Sequence, residues 1–247
     1  PIRESLRGRT PYGAPQLHVP IALNVNENTH EISEDILLDV IRKVAESLKD
    51  INRYPDREFV RLRELLAEYV GHGMSADNLW AANGSNEVLQ QLFMAFGGPS
   101  RKALSFSPTY SMYSLIAQSL DTEYVEVSRL ERYEIDVELV TKAIATHKPD
   151  ITLICSPNNP TGTPVDLEVI KAAYDATTGI VIVDEAYSEF SLNENSALTL
   201  LEGRPRLVVS KTMSKAFAFA GARLGYLVAD PAVCDVMRLV RLPYHLS

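Results

Sequence analysis

The sequence predicts an α/β fold: a mostly parallel central sheet with helices on both faces, in three layers. Three observations carry this. Short apolar runs alternate with helix-patterned segments through the second half of the chain, the signature of parallel strands joined by crossover helices. At 247 residues and 46% apolar composition, the chain is long enough to bury roughly 70–75% of its unfolded surface. Polar residues with chemical potential fall directly after three of the apolar runs, where open α/β sheets bind ligands.

Residues 1–32 are proline-containing and aperiodic, ending in Leu23-Asn-Val-Asn-Glu-Asn28, and are expected to form an arm ahead of a domain over 33–247. Ser33 is placed to cap a helix whose apolar positions Ile36, Leu37, Val40, Ile41, Val44 and Leu48 keep helical spacing. The same pattern recurs over 57–70, 86–96 and 110–120, with a strand over 102–106 between the last two. Strands are then expected over 124–127, 151–155, 180–183 and 207–210, with helices over 136–145 and 166–176. Residues 223–229 supply a further strand, and Asp230-Pro231 is an N-cap followed by proline at the first helical position.

Composition excludes several classes of function. Twenty-four basic against 32 acidic residues give a net charge of −8, which disfavours a nucleic-acid partner. No stretch approaches the roughly 20 apolar residues of a membrane span, and the charged opening does not resemble a signal sequence. Cys155 and Cys234 lie in apolar runs and are expected to be buried free thiols, consistent with a cytoplasmic protein. The five histidines show no metal-ligand spacing.

Three loops hold the candidate chemistry. Ser156-Pro-Asn-Asn-Pro-Thr-Gly162 follows one apolar run, and its two prolines restrict the orientation of Asn159. Asp184 ends another run and leads into Glu185-Ala-Tyr187. The third run leads into Ser210-Lys-Thr-Met-Ser-Lys-Ala-Phe-Ala-Phe-Ala-Gly-Ala-Arg-Leu-Gly-Tyr226, with Lys215 between Thr212 and Arg223. A lysine that forms an imine needs partial desolvation to lower its pKa and free its amine. Gly84-Ser-Asn-Glu87 opens a helix whose first N–H groups and dipole favour an anion. Each motif alone is weak; their order and their positions at successive strand ends make them specific.

Together these motifs resemble the pyridoxal-phosphate aminotransferases of fold type I, and the likeness runs from about Ala22 to the last residue. The resemblance implies that Lys215 bonds the cofactor covalently and then shuttles a proton, while Asp184 pairs with the pyridine nitrogen. It implies that Tyr187 and Asn159 bind the ring oxygen. Arg223, Thr212, Ser214, Gly84, Ser85 and Asn86 are then expected to hold the phosphate. Tyr110, in Ser107-Pro-Thr-Tyr110, matches a ring that stacks on the cofactor. Tyr54, in Arg53-Tyr-Pro-Asp56, matches a tyrosine reaching the neighbouring subunit's cofactor, which implies a homodimer with shared active sites.

Within that family, the segments 24–28, 80–86 and 240–247 look like histidinol-phosphate aminotransferases. The implied substrates are L-glutamate and imidazole acetol phosphate, giving 2-oxoglutarate and L-histidinol phosphate in histidine biosynthesis. Asn26, Asn28 and Asn159 are then expected on the substrate side. Thr29 and His30 stand where the family usually has proline and an aromatic residue. The family also carries a C-terminal small domain with anion-gripping arginines, so the chain as given is expected to bind cofactor poorly and transaminate little. An aromatic amino acid aminotransferase, a lyase of the same fold and a non-catalytic cofactor-binding regulatory domain are the alternatives.

Overall fold

A computed structural model describes residues 2–3, 6–8, 10–11, 13–191 and 195–246. Its described residues form one seven-stranded sheet in the order β1-β7-β6-β5-β4-β2-β3. The strands are β1 (Leu79–Ala82), β2 (Lys102–Ser107), β3 (Glu123–Ser128), β4 (Ile151–Cys155), β5 (Ile180–Asp184), β6 (Leu207–Thr212) and β7 (Gly225–Ala229). Neighbours from β3 through β6 pair in parallel, whereas β7 runs antiparallel to both β6 and β1. The helices are α1 (Glu34–Ser47), α2 (Val60–Val70), α3 (Ser85–Phe96), α4 (Met112–Ser119), α5 (Val137–His147), α6 (Leu167–Ala176) and α7 (Pro231–Val240).

Two cores lie on opposite faces of the sheet, and the period-2 alternation of strand side chains divides residues between them. Val181 and Val183 of β5 join α2, α5 and α6 on one face; Ile180 and Ile182 join α3, α4 and α7 on the other. The central strands β4, β5, β6 and β7 are buried along their whole length, which is why they are mostly apolar, with Thr152 and the Ser210-Lys-Thr212 end of β6 as the buried polar exceptions besides Asp184. The three-layer arrangement expected from the sequence is present.

Several boundaries differ from the sequence-based expectation. Strand β1 was not anticipated, because Leu-Trp-Ala-Ala is short and its four residues are all buried, leaving no alternation to detect. Helix α2 starts at Val60 rather than at 57. Asp56 accepts hydrogen bonds from the backbone N–H groups of Glu58 and Val60 at 3.0 and 2.9 Å, and Phe59 is left-handed at φ 37°. Ser33 occupies the N-cap of α1, but its side chain makes no capping hydrogen bond. The Asp230 carboxylate does cap α7, accepting from Ala232 N, with proline in the first turn. Helix α1 has the expected apolar spacing and yet buries none of its residues.

Candidate active site

The carboxyl ends of β4, β5 and β6 open on a cavity of about 600 Å³. Its walls contain Lys215, Asp184, Tyr187, Asn159, Arg223, Thr212, Ser214, Ser85, Asn86 and Tyr110, ten of the fourteen residues singled out from the sequence. Asn26 lines it as well, the eleventh of those fourteen. Strand parity explains the gathering: Cys155, Asp184 and Thr212 all project to the α3/α4 face, whereas Glu185 and Lys211 project to the opposite one.

One end of the cavity suits an anion. Gly84 precedes α3 at φ +85°, and a Cβ there would stand 2.3 Å from Nη2 of Arg223, so only glycine lets the guanidinium lie over the helix start. Gly225 of β7 abuts the same turn, where a Cβ would meet the Ser85 nitrogen at 2.1 Å. The resulting turn aims the α3 N-terminus into the cavity beside Ser85 and Asn86. Arg223, held at φ 55°, donates to Ser214 Oγ at 3.3 Å, and Thr212 Oγ1 donates to Ser214 Oγ at 3.1 Å.

The other end is acidic. Asp184 is 2% exposed. Its Oδ2 accepts from the Tyr113 hydroxyl at 2.7 Å and its Oδ1 from Ala186 N at 3.3 Å. Burial pushes the Asp184 carboxyl up to about 6, and the Tyr113 hydrogen bond opposes that rise.

Lys215 lines the same cavity. Its Nζ donates to the carbonyls of Val25 and Asn26 at 3.0 and 3.1 Å. Partial burial lowers its pKa from the ordinary lysine value; Glu27 opposes this and Arg223 reinforces it. Tyr187 accepts hydrogen bonds from Asn26 Nδ2 at 3.1 Å and from Asn159 Nδ2 at 3.4 Å. The cavity thus brings together donors for an anion, a buried carboxylate that can pair with a protonated nitrogen, and a partly buried amine.

The aminotransferase class I and II family matches residues 19–247. The chain belongs to that family. Histidinol-phosphate aminotransferase of Paenarthrobacter aurescens is 60% identical over 251 residues, an alignment covering all of this chain and 68% of that protein. The enzyme of the same name from Thermobifida fusca is 52% identical over 248 residues, again covering 100% of this chain and 68% of the relative. The chain therefore spans about two thirds of the length of these curated relatives. Among solved structures, histidinol-phosphate aminotransferase from Sinorhizobium meliloti, in complex with pyridoxal-5'-phosphate, superposes with a TM-score of 0.80. Identity is 24%, with 90% of this chain and 60% of that one covered. Aspartate aminotransferase from Thermus thermophilus with maleate superposes at 0.78 and 24% identity, covering 88% and 59%. At that identity both establish the fold, that of the fold type I aminotransferases.

The remaining expected residues of this family member sit outside the cavity wall. Gly84 lies under Arg223. Asn28 is beside the cavity, where its amide donates to the carbonyls of Lys215 and Ala216 at 3.1 and 3.3 Å and so braces the lysine loop. Tyr54 is 80% exposed and stacks on Tyr244 at 4.5 Å, away from its own chain's cavity.

Sequence reasoning missed three contributors to the site and one buried ion pair on the opposite face of the sheet. Asn158, next to Asn159, ties the double-proline turn together by donating to Pro108 O at 3.0 Å and to Thr161 Oγ1 at 2.8 Å. The backbone carbonyls of Val25 and Asn26 that hold Lys215 leave no trace in residue type. Tyr113 carried a usable signal, since it is three residues from Tyr110 on a segment expected to be helical. The buried Glu185–Lys211 ion pair, at 3.2 Å, had none.

Cys155 and Cys234 are free and buried, as expected. Among the described residues, no group of His, Cys, Asp and Glu is arranged to hold a metal, and no helix is long and apolar enough to cross a membrane.

Proposed function

We propose that the protein binds pyridoxal 5'-phosphate in this cavity and transfers the amino group of L-glutamate to imidazole acetol phosphate. The products are 2-oxoglutarate and L-histidinol phosphate, an exchange belonging to histidine biosynthesis. One observation carries the reading. A buried carboxylate, a half-buried low-pKa lysine and an arginine-topped helix N-terminus converge on one cavity, in a chain 60% identical to a histidinol-phosphate aminotransferase.

The donor set fits the cofactor. Arg223, Ser214, Thr212 and the α3 start at Ser85 and Asn86 would hold its phosphate. Asp184 would hold its ring nitrogen, Tyr187 and Asn159 its ring oxygen, and Tyr110 its ring face. When bound, the cofactor supplies a carbonyl carbon to carry the amino group and a ring that withdraws electrons from the substrate carbon. Lys215 would hold the cofactor through that carbon, and its Nζ would move the proton to and from the substrate carbon. Its depressed pKa keeps part of the amine neutral and able to accept that proton. Asp184, ionised above about pH 6, would favour a protonated ring nitrogen. Asn26, whose amide reaches Tyr187 from the arm, and Asn28 border the substrate side.

The same reading assigns residues 1–32 to an arm and 33–247 to the cofactor-binding domain. It also assigns a homodimer in the cytoplasm, with Tyr54 serving the partner's cofactor. Support for the last point is the exposure of Tyr54 outside its own chain's cavity, and support for the compartment is the pair of free buried thiols.

The direct test compares, for the full-length gene product, turnover of L-histidinol phosphate with that of phenylalanine as amino donors to 2-oxoglutarate, read as glutamate formed. Faster turnover of phenylalanine would overturn the substrate assignment. For the cofactor, Lys215→Ala is expected to abolish the pH-sensitive visible band and the adduct fixed by borohydride; survival of both would falsify Lys215 as the anchor. Sedimentation checks the dimer, and a fully active monomer would refute shared sites.

A further inference from the structure

We propose that Tyr113 is a positioning residue for the cofactor-site carboxylate, clasping Asp184 from beneath the cavity floor and setting both its orientation and its charge. The proposal rests on the reading of Asp184 as the group facing the cofactor ring.

The geometry is specific. Tyr113 lies in the first turn of α4, fully buried, and its hydroxyl donates to Asp184 Oδ2 at 2.7 Å across 71 residues of sequence. Ala186 N approaches the other oxygen at a longer 3.3 Å, so Tyr113 is the closer of the two donors holding the carboxylate. The Tyr113 ring packs edge-on against Tyr110, with centroids 5.6 Å apart and planes at 88°. Tyr110 in turn lines the cavity and donates to Asn86 Oδ1 at 3.1 Å. The residues leading into α4 and its first turn thus deliver two rings, one to the cavity wall and one to the carboxylate below it.

The surroundings make this donor permanent. Burial, followed by the neighbouring Asp184 charge, pushes the Tyr113 hydroxyl well above the ordinary tyrosine pKa, so it remains protonated wherever Asp184 is ionised. Other groups around the carboxylate cannot take over the role. Cys155 of β4 is a thiol that burial pushes up to about 12 and a weak donor. Glu185 repels the Asp184 charge; Lys211 of β6 attracts it, but its amine is bonded to Glu185, Glu189 and Ser188. The Tyr187 hydroxyl is engaged with Asn26 and Asn159. A hydrogen bond to the charged form favours ionisation, so removing it raises the pKa of the carboxyl.

The test is an infrared titration of the Asp184 carboxyl in the cofactor-free protein, with the band assigned by its loss in Asp184→Asn. Tyr113→Phe is expected to raise the midpoint by about one pH unit, the scale of a hydrogen bond to a charged group. Replacing Tyr113 by 3-fluorotyrosine, a more acidic phenol of nearly the same shape, is expected to lower it. In the cofactor-loaded protein, the pH midpoint of the visible band is expected to move in both variants while the borohydride adduct at Lys215 still forms. A carboxyl midpoint unmoved in the fluorotyrosine protein, or moved upward, overturns the proposal even where the Phe variant does not fold. Absence of any adduct in the unsubstituted protein would instead overturn the functional reading, leaving the carboxyl titration to judge Tyr113 alone.

Discussion

Asp184 and Glu185 are adjacent, equally buried at 2% exposure, and opposite in fate. Asp184 faces the cavity, with a hydroxyl and one distant N–H as its donors. Glu185 faces away and is satisfied on both oxygens: Ala197 N donates to Oε1 at 2.7 Å, and Ser196 Oγ and Lys211 Nζ donate to Oε2 at 2.7 and 3.2 Å. A buried carboxylate saturated by local partners is part of the fold, whereas one left short of donors at a cavity wall is available to a ligand. Reversing one strand residue's facing direction is enough to exchange those roles.

That contrast breaks most sharply on removal of each carboxylate. Asp184→Ala is expected to leave the fold intact and slow turnover by roughly 10²–10³-fold, the scale of losing one preorganised electrostatic contact; circular dichroism and steady-state rates check the pair of outcomes. Glu185→Ala is expected to act in the other direction, lowering unfolding free energy by roughly 3 kcal/mol by breaking a buried ion pair. Urea titration of the cofactor-free protein measures it, and equal stability would show that Lys211 is adequately held by Glu189 alone.

A subtler difference is expected in pH dependence. The Asp184 carboxyl sits at about 6 in the fold, above its value in an unfolded chain, so the folded state binds the proton more tightly. Stability is therefore expected to fall as pH rises from about 4 to about 6, by roughly 2–3 kcal/mol, and to stay lower above that window. Asp184→Asn should flatten the slope in thermal melts of the cofactor-free protein. The smallest effect belongs far from both carboxylates: Asp230→Ala removes the α7 cap and is expected to cost about 1 kcal/mol without changing turnover.

Most of the site was legible because its main loops follow largely apolar runs, and a polar residue at the end of such a run is conspicuous. Asp184 after Ile-Val-Ile-Val is the clearest case. Tyr113 was not legible as a partner of Asp184, because its side chain is that of an ordinary core tyrosine and its contact spans 71 residues. The role of Asn28 shifted for a similar reason: its amide type was correctly noticed, but its target is a backbone carbonyl of the lysine loop. Helix α1 shows the same limit from the other side. Its apolar spacing predicts the helix, while its exposed Ile36, Ile41, Val44 and Leu48 carry no indication of what they pack against.

The sequence by itself determined the alternation of strands and helices, the parallel core, the capped start of α7 and the identity of the lysine, aspartate and arginine that share one cavity. Those features depend on local periodicity and on residue type, which a chain displays directly. Only the tertiary structure decided that β1 and an antiparallel β7 complete the sheet, that the carbonyls of Val25 and Asn26 hold Lys215, and that Tyr113 rather than a charged group stands behind Asp184. Each of these depends on which distant segments meet, and strand pairing and burial set that through contacts between residues far apart in the chain.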